Sequence, residues 1–349
     1  MYVKKNFNFR AILSFSWFHM VWLTLLSVGM ATFYHFFHFE WMKIPWLPLS
    51  VLGTAVAFYI GFKNNSAYDR LWEARKIWGG IVNVSRMWGA DVRAYISNQF
   101  REGKISESDL KKIHQRLIYR HIAWLYVLRD QLLIPTSWEH LRERDMGKMI
   151  DNYFERSKQT YGIGMLRADI TQDMLKKLLD QEELNRVINF KNTATQMIDL
   201  QSQELAQLRS DHLTDDFRHM ELQKLLNEFY TLQGKAERIK KFPLPRQYGS
   251  MSFVFVSIFI ILLPFGLIPA FQELSPHYGH WISIPFVALI GWVYVMMELI
   301  GDYSENPFSG LGNDIPMLSL CRTIEIDLRE MLGETDLPEP IQPVNSVLM

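Results

Sequence analysis

The sequence is poor in the residues that build catalytic and redox centres. It holds one cysteine, Cys321, among 349 residues, which excludes an intrachain disulfide and any metal site made of several cysteines. It contains no HExxH zinc motif, no GxSxG nucleophile motif and no glycine-rich phosphate loop, since Gly310-Leu311-Gly312 is too short for one. These absences predict that the chain is not an enzyme.

The sequence also lacks an excess of either charge. It has 37 basic and 37 acidic residues, so its zero net charge favours no nucleic-acid partner. The charges are nevertheless unevenly distributed, because four apolar blocks flank one long polar block. Aromatic residues make up 14% of the chain and include 11 tryptophans, a content typical of membrane proteins with interfacial belts. The first apolar run is too long for a signal peptide.

Four runs contain no charged residue when histidine is counted as neutral. Each approaches or exceeds the roughly 20 residues with which a helix crosses the hydrocarbon core. The runs are Ala11–Phe39, Ile44–Phe62, Gln247–Gln272 and Ser275–Met297. We therefore expect spans 1 and 2 within residues 1–62, and spans 3 and 4 within residues 247–300.

Basic residues are concentrated on one side of these runs. They are Lys4, Lys5, Arg10, Lys63, Arg70, Arg75, Lys76, Arg238, Lys240, Lys241 and Arg246, whereas the short loops at 40–43 and 273–274 share a single lysine. The positive-inside rule then places both termini and the middle of the chain in the cytoplasm. We expect a multi-pass protein of the plasma membrane, which is the inner membrane in a bacterium.

The polar block, residues 63–246, has apolar residues at three- and four-residue intervals and few glycines or prolines. This pattern predicts a helical cytoplasmic domain rather than a disordered segment. One of its helices should begin at a cap formed by Ser106 or Ser108. Residues 301–349 should form a cytoplasmic segment that ends in an extended, proline-containing tail after about Glu334.

An aromatic stripe marks the second span. Thr54, Phe58 and Phe62 recur every fourth residue, so a helix presents all three on one face. The stripe either packs against another helix of the same subunit or lines a pore. Spacing alone favours packing.

Acidic residues collect where the fourth span ends. Glu298, Asp302, Glu305, Asn306 and Asp314 could bind a hard cation or pair with basic residues of the neighbouring span exit. The candidate partners are Arg70, Arg75 and Lys76, and we favour ion pairing. A second conceivable metal site, His35 with His38, fits interfacial anchoring better.

Two long motifs follow the second and the fourth spans. One is Gly61-Phe-Lys-Asn-Asn-Ser-Ala-Tyr-Asp-Arg-Leu-Trp-Glu-Ala-Arg-Lys76, and the other combines Glu305-Asn-Pro-Phe308 with Asn313-Asp-Ile-Pro316. Both resemble the bestrophin family of ion channels, in its bacterial branch. Leu225-Leu-Asn-Glu228 and the order of the four spans extend the resemblance over nearly the whole chain.

The resemblance implies an all-α homopentamer with four transmembrane helices per subunit around one axial pore. In that family three side chains of the second span line a narrow neck, and the matching positions are Thr54, Phe58 and Phe62. A residue shortly before the Leu-Leu-Asn-Glu motif forms a cytoplasmic aperture, which matches Met220. Thr54 is polar where the family usually has an aliphatic residue, and Met220 is flexible where it usually has a branched one.

The implied function is a channel for small monovalent ions, either chloride-type anions or sodium- and potassium-type cations, closed by a hydrophobic neck gate. The implied partners are further copies of the chain, the lipid bilayer and the permeating ions. Calcium-activated relatives carry a dense acidic run after Asn-Pro-Phe, but this chain has Ser309-Gly-Leu-Gly312 there. We therefore expect no cofactor and no calcium dependence. The alternative is a membrane-anchored signalling or scaffold protein without a pore.

Overall fold

The computed structural model describes residues 1–7, 9–37, 43–138 and 168–349. Ten α-helices lie within these residues. They are α1 (Phe9–Phe37), α2 (Trp46–Tyr95), α3 (Glu107–Leu133), α4 (Ala168–Leu178), α5 (Gln181–Ile188), α6 (Thr193–Ser210), α7 (Asp216–Lys241), α8 (Arg246–Leu274), α9 (Gly279–Ser304) and α10 (Met317–Met331). Four helical stretches among the described residues are long and apolar enough to cross a membrane. The predicted all-α class is therefore confirmed, together with four helical stretches that could cross a membrane.

The membrane helices extend beyond the charge-free runs of the sequence. The second span continues without interruption into the polar block, so that α2 has 50 residues. Helix α8 continues through Pro264 and Pro269, and α9 continues through Pro285. The end of the predicted first span, together with His38 and the loop residues Glu40, Trp41 and Met42, lies outside the described residues.

The chain divides into two compact units. The first, here called the membrane unit, comprises Lys4–Arg70 and Pro243–Asn306. The second, here called the bundle unit, comprises Met1–Val3, Leu71–Phe242 and Pro307–Met349. Each unit has a core of its own, and each is described by itself below.

The core of the membrane unit joins α1, α2, α8 and α9 through side chains such as Leu23, Ile60, Leu263 and Val287. Close helix approach depends on small residues. A Cβ atom added at Gly53 would lie 2.8 Å from the Phe259 ring, and one added at Gly291 would lie 2.9 Å from Leu23 Cδ2.

The core of the bundle unit is larger and contains fully buried aromatic side chains, among them Trp78, Trp88, Tyr126 and Phe229. Helix α3 runs through this core and begins where the sequence predicted, because Ser106 Oγ accepts the Asp109 N–H at 3.1 Å. The chain after Gly333 forms no helix among the described residues and returns to its own unit, where Ser319 N–H donates to Met349 O at 2.7 Å.

Candidate functional site

The predicted stripe lies on the exposed face of α2. The Phe58 and Phe62 side chains are each 67% exposed in the single subunit, and Thr54 is exposed as well. The opposite face is buried, as Val56, Ile60 and Ala67 show. The two phenylalanines therefore do not pack against other helices of their own subunit.

Thr54 is less polar toward its surroundings than its residue type suggests. Its hydroxyl donates to the Ser50 carbonyl oxygen at 2.9 Å, one turn earlier on the same helix. A threonine in this arrangement satisfies its own hydroxyl donor, while its oxygen retains an acceptor site. The stripe formed by Thr54, Phe58 and Phe62 is thus uncharged, and its one hydroxyl donor is already engaged within α2.

A buried ion cluster lies directly behind the stripe. Lys63, the residue after Phe62, is 0% exposed, and its Nζ lies 2.5 Å from Glu298 Oε1 on α9. Lys63 also pairs with Asp302, one turn further along α9, and Ser252 on α8 donates a hydrogen bond to Glu298. A charged group in this environment is tolerated only when it is paired and hydrogen-bonded.

Lys63 is a partner of Asp302 that the sequence reasoning missed. Arg70, Arg75 and Lys76 were the predicted candidates, because Lys63 was interpreted only as a flanking charge. A signal was present, since Lys63 falls on the helix face of Val56 and Ile60, opposite the aromatic stripe. A charge on an otherwise apolar face indicates a buried partner.

Two further contacts hold the same turn of α2 on α9. Asn64 Nδ2 donates to the Met297 carbonyl oxygen at 3.0 Å. A Cβ atom added at Gly301 would collide with Asn64 Oδ1, so this close approach requires glycine. Lys63 and Asn64, which follow Phe62 in the chain, are therefore both held against α9.

Glu305 and Asn306 form a second polar group in the membrane unit. Asn306 Nδ2 donates to Glu305 Oε1 at 3.2 Å, and Arg246 Nη1 lies 3.8 Å from the same oxygen. Arg70 Nε donates to the Glu305 carbonyl oxygen at 2.9 Å. Arg70, a predicted partner of this acidic stretch, is thus brought to Glu305 rather than to Asp302.

Asp314 belongs to the bundle unit, where it organises the loop after Pro307. Its carboxylate accepts N–H groups of Phe308 at 3.1 Å, Gly310 at 2.9 Å and Ile315 at 2.7 Å. Burial raises the pKa of the Asp314 carboxyl above its ordinary value, against the lowering effect of the three N–H groups. Phe308 and Gly310 both adopt positive φ in this loop, at 67° and 75°.

The described part of the chain places no group of three or more His, Cys, Asp or Glu side chains where they could hold a metal ion. Both Asp314 oxygens accept backbone N–H groups. His35 stacks on His280 with ring centroids 4.8 Å apart, and it contacts Trp281 as well, whereas its predicted companion His38 lies outside the described residues.

Met220 lies in the first turns of α7 and is 58% exposed in the single subunit. Phe217, one turn earlier on the same helix face, is 83% exposed, and the sequence reasoning did not single it out. The signal was an apolar residue next to the helix cap at Asp215, where an amphipathic helix normally shows polar side chains. Together the two residues present an apolar patch at the start of α7.

Comparison with known proteins identifies the family. The family model described as Bacterial/Fungal Bestrophin protein matches residues 10–330. The chain belongs to this family. The resemblance found in the sequence is confirmed, and the family assignment agrees with the prediction that the chain is not an enzyme.

Curated relatives and solved structures agree with this assignment. The bestrophin chain is 28% identical over 289 residues to the voltage-dependent anion channel-forming protein YneE of Salmonella typhi, covering 82% of this chain and 77% of that protein. It is 26% identical to YneE of Escherichia coli K12, covering 84% and 79%. A crystal structure of a bacterial bestrophin homolog from Klebsiella pneumoniae matches with a TM-score of 0.70 at 23% identity, covering 91% of this chain and 98% of that one. That similarity shows the shared fold.

Proposed function

We propose that this bestrophin assembles as a homopentamer around one axial pore that passes small monovalent ions. The observation that carries the proposal is the 67% exposure of both Phe58 and Phe62 on the face of α2 opposite its buried face. Packing within the subunit, which spacing alone favoured, does not account for these side chains. Five copies of α2 around an axis would bring the exposed faces together.

In this proposal Phe58 and Phe62 form a hydrophobic neck gate, and Thr54 lines its outer end. A narrow pore lined by apolar rings stops ions by dewetting, because an ion would lose its hydration and gain no polar contacts. Phenylalanine adds a second property. Its ring presents a positive edge to anions and a negative face to cations, so that a small ring rotation changes the environment of the ion.

The curated relatives are named as anion channels, which supports chloride as one of the ions that this pore passes. The neck positions themselves carry no charge, so the neck passes chloride-type anions or sodium- and potassium-type cations without a fixed electrostatic preference. The balance between the two then depends on charged groups outside the neck.

Met220 forms a second constriction, the cytoplasmic aperture. Gating is independent of calcium, since the Asp314 oxygens are engaged by backbone N–H groups.

The bundle unit and both termini lie in the cytoplasm, and the protein resides in the bacterial inner membrane. Support comes from the basic residues at the inner ends of the spans and from the single lysine in the two short outer loops. Protease accessibility in sealed inside-out vesicles tests this orientation.

Mass in detergent is the direct test of the assembly. Light scattering on the purified protein should give five times the subunit mass of 41.2 kDa after correction for bound detergent. A stable monomer that gives no ion flux in liposomes would contradict the channel and favour the membrane-anchored scaffold protein instead.

A further inference from the structure

We propose that Asp69 sets the charge preference of the pore, and that it favours cations over chloride by placing one carboxylate per subunit below the neck. The inference rests on the proposed pentameric pore and deepens it. It assigns selectivity to a residue that lies outside the neck and outside the aperture.

Asp69 lies on the same face of α2 as the neck residues. Successive residues of an α-helix are about 100° apart, so Asp69 lies within about 20° of both Phe58 and Phe62 around the helix axis. Asp69 is exposed, as is Asn65 between the neck and Asp69. The exposed face that carries the neck therefore continues in polar residues beyond Phe62, where the charge-free run of the second span ends.

No basic side chain among the described residues is paired with the Asp69 carboxylate. Among the described residues, the recorded side-chain partner of the Asp69 carboxylate is the Asn65 amide, at 3.4 Å. That uncharged donor orients the carboxylate and leaves its charge in place.

Four basic residues lie within seven positions of Asp69, and the groups that engage them lie elsewhere. The Arg75 guanidinium lies over the Trp72 ring, 5.7 Å from its centroid. Lys63 is buried against Glu298, and Arg70 donates to the Glu305 carbonyl oxygen. Lys76, further along α2, pairs with Glu73 at 2.6 Å. Asp69 is thus the first charge after Phe62 on the exposed face of α2.

Asp69 is close enough to Phe62 along α2 for its charge to act on ions at the neck. Seven residues separate Phe62 from Asp69, which corresponds to about 10 Å of helix rise. The Debye length is about 10 Å at 0.1 M salt, so a ring of five carboxylates acts on ions at the neck entrance and is screened at high salt. Such a ring raises the local cation concentration and repels chloride.

The cysteine content of the chain allows a test on one folded protein. Cys321 is buried, which shields its thiol from reagents in solution, and burial raises the pKa of that thiol to about 12. An Asp69→Cys variant can therefore be assembled, reconstituted in planar bilayers and modified in place. One reagent adds a sulfonate and restores a negative charge, and the other adds a trimethylammonium group.

We expect the potassium-to-chloride permeability ratio of Asp69→Cys to fall several-fold from that of the wild type. The sulfonate reagent should restore the ratio, and the trimethylammonium reagent should lower it further, toward chloride. Both effects should shrink in concentrated salt. As a matched control, Asp173→Asn removes a carboxylate of α4 that is 75% exposed and should leave the ratio unchanged.

Two negative results are distinguishable. A conducting wild-type pentamer whose permeability ratio is the same in Asp69→Cys, before and after both modifications, overturns this inference and leaves the proposed pore intact. A monomeric wild-type protein without conductance overturns the proposed pore, and the role of Asp69 with it.

Discussion

Lys63 Nζ lies 2.5 Å from Glu298 Oε1, with the lysine side chain 0% exposed and the glutamate 5% exposed. This ion pair follows Phe62 immediately in the chain and joins α2 to α9. It fixes the buried face of α2 and thereby the direction in which Phe62 points.

We expect Lys63→Met to lower the free energy of unfolding of the detergent-solubilised protein by about 3–5 kcal/mol, because it leaves buried carboxylates without their cation. Thermal melting or denaturant titration measures this. Lys224→Met serves as the control, since Lys224 forms an exposed pair with Glu221 and should change stability little. Equal melting temperatures for Lys63→Met and the wild type would contradict the role of the cluster.

The proposed neck gate predicts how ion flux changes when its aromatic rings are removed. Phe58→Ala combined with Phe62→Ala should raise ion flux into liposomes many-fold, because a wider and less apolar neck no longer dewets. Phe253→Ala is the matched control, since Phe253 on α8 is 65% exposed and lies outside the proposed neck. Unchanged flux in the double variant would count heavily against the neck assignment.

The aperture predicts a separate effect at Met220. Met220→Ala removes most of an exposed side chain near the start of α7, so we expect the single-channel conductance for large monovalent ions to rise more than that for small ones. Met87→Ala provides the comparison, because Met87 on α2 is exposed to a similar degree, 51% against 58%. The same conductance ratio in both variants would argue that Met220 forms no constriction.

Calcium should have no effect on conductance. Asp314 engages its oxygens with three backbone N–H groups, and Glu305 accepts from Asn306. Planar-bilayer recordings with a chelator and with added calcium are therefore expected to give the same open probability. Calcium-dependent opening that disappears in Asp314→Asn would refute calcium-independent gating.

The bundle unit should lose stability in mild acid through His121. This side chain is fully buried against Trp124 and Phe229, and burial lowers its pKa from 6.5 to about 3. The folded state keeps it neutral while the unfolded chain binds a proton below about pH 6.5. The contribution of neutral His121 to the free energy of unfolding is therefore fully present above that pH. It is lost as the pH falls toward 3, and the loss is about 2 kcal/mol at pH 5.

His121→Gln isolates this contribution, since glutamine can still bond to Ser85, whose Oγ lies 2.8 Å from His121 Nε2. Melting curves near pH 7.5 and pH 5 should show a smaller acid-induced loss for His121→Gln than for the wild type. The same loss in both proteins would mean that other groups cause the acid sensitivity.

The local pattern of residues in the sequence was sufficient to predict several features. The charge-free runs predicted the four spans, because crossing the hydrocarbon core requires about 20 apolar residues in succession. Ser106 predicted the start of α3, since a cap depends on neighbours within one turn. The motif from Gly61 to Lys76 indicated the family through the order of its residues alone.

The partners of the acidic residues could not be predicted from local sequence pattern. Asp302 and Glu298 lie more than two hundred residues from Lys63 in the chain, and only the packing of α9 on α2 brings them together. Phe217 was missed because its exposure depends on what the bundle unit leaves uncovered.

The sequence by itself determined the membrane spans, the family and the aromatic stripe, because each follows from residue type and spacing along one helix. Only the tertiary structure decided which face of α2 is covered. Burial of Lys63 against α9 turns Phe58, Phe62 and Asp69 outward, and a face becomes available for a pore only once the opposite face has found its partners.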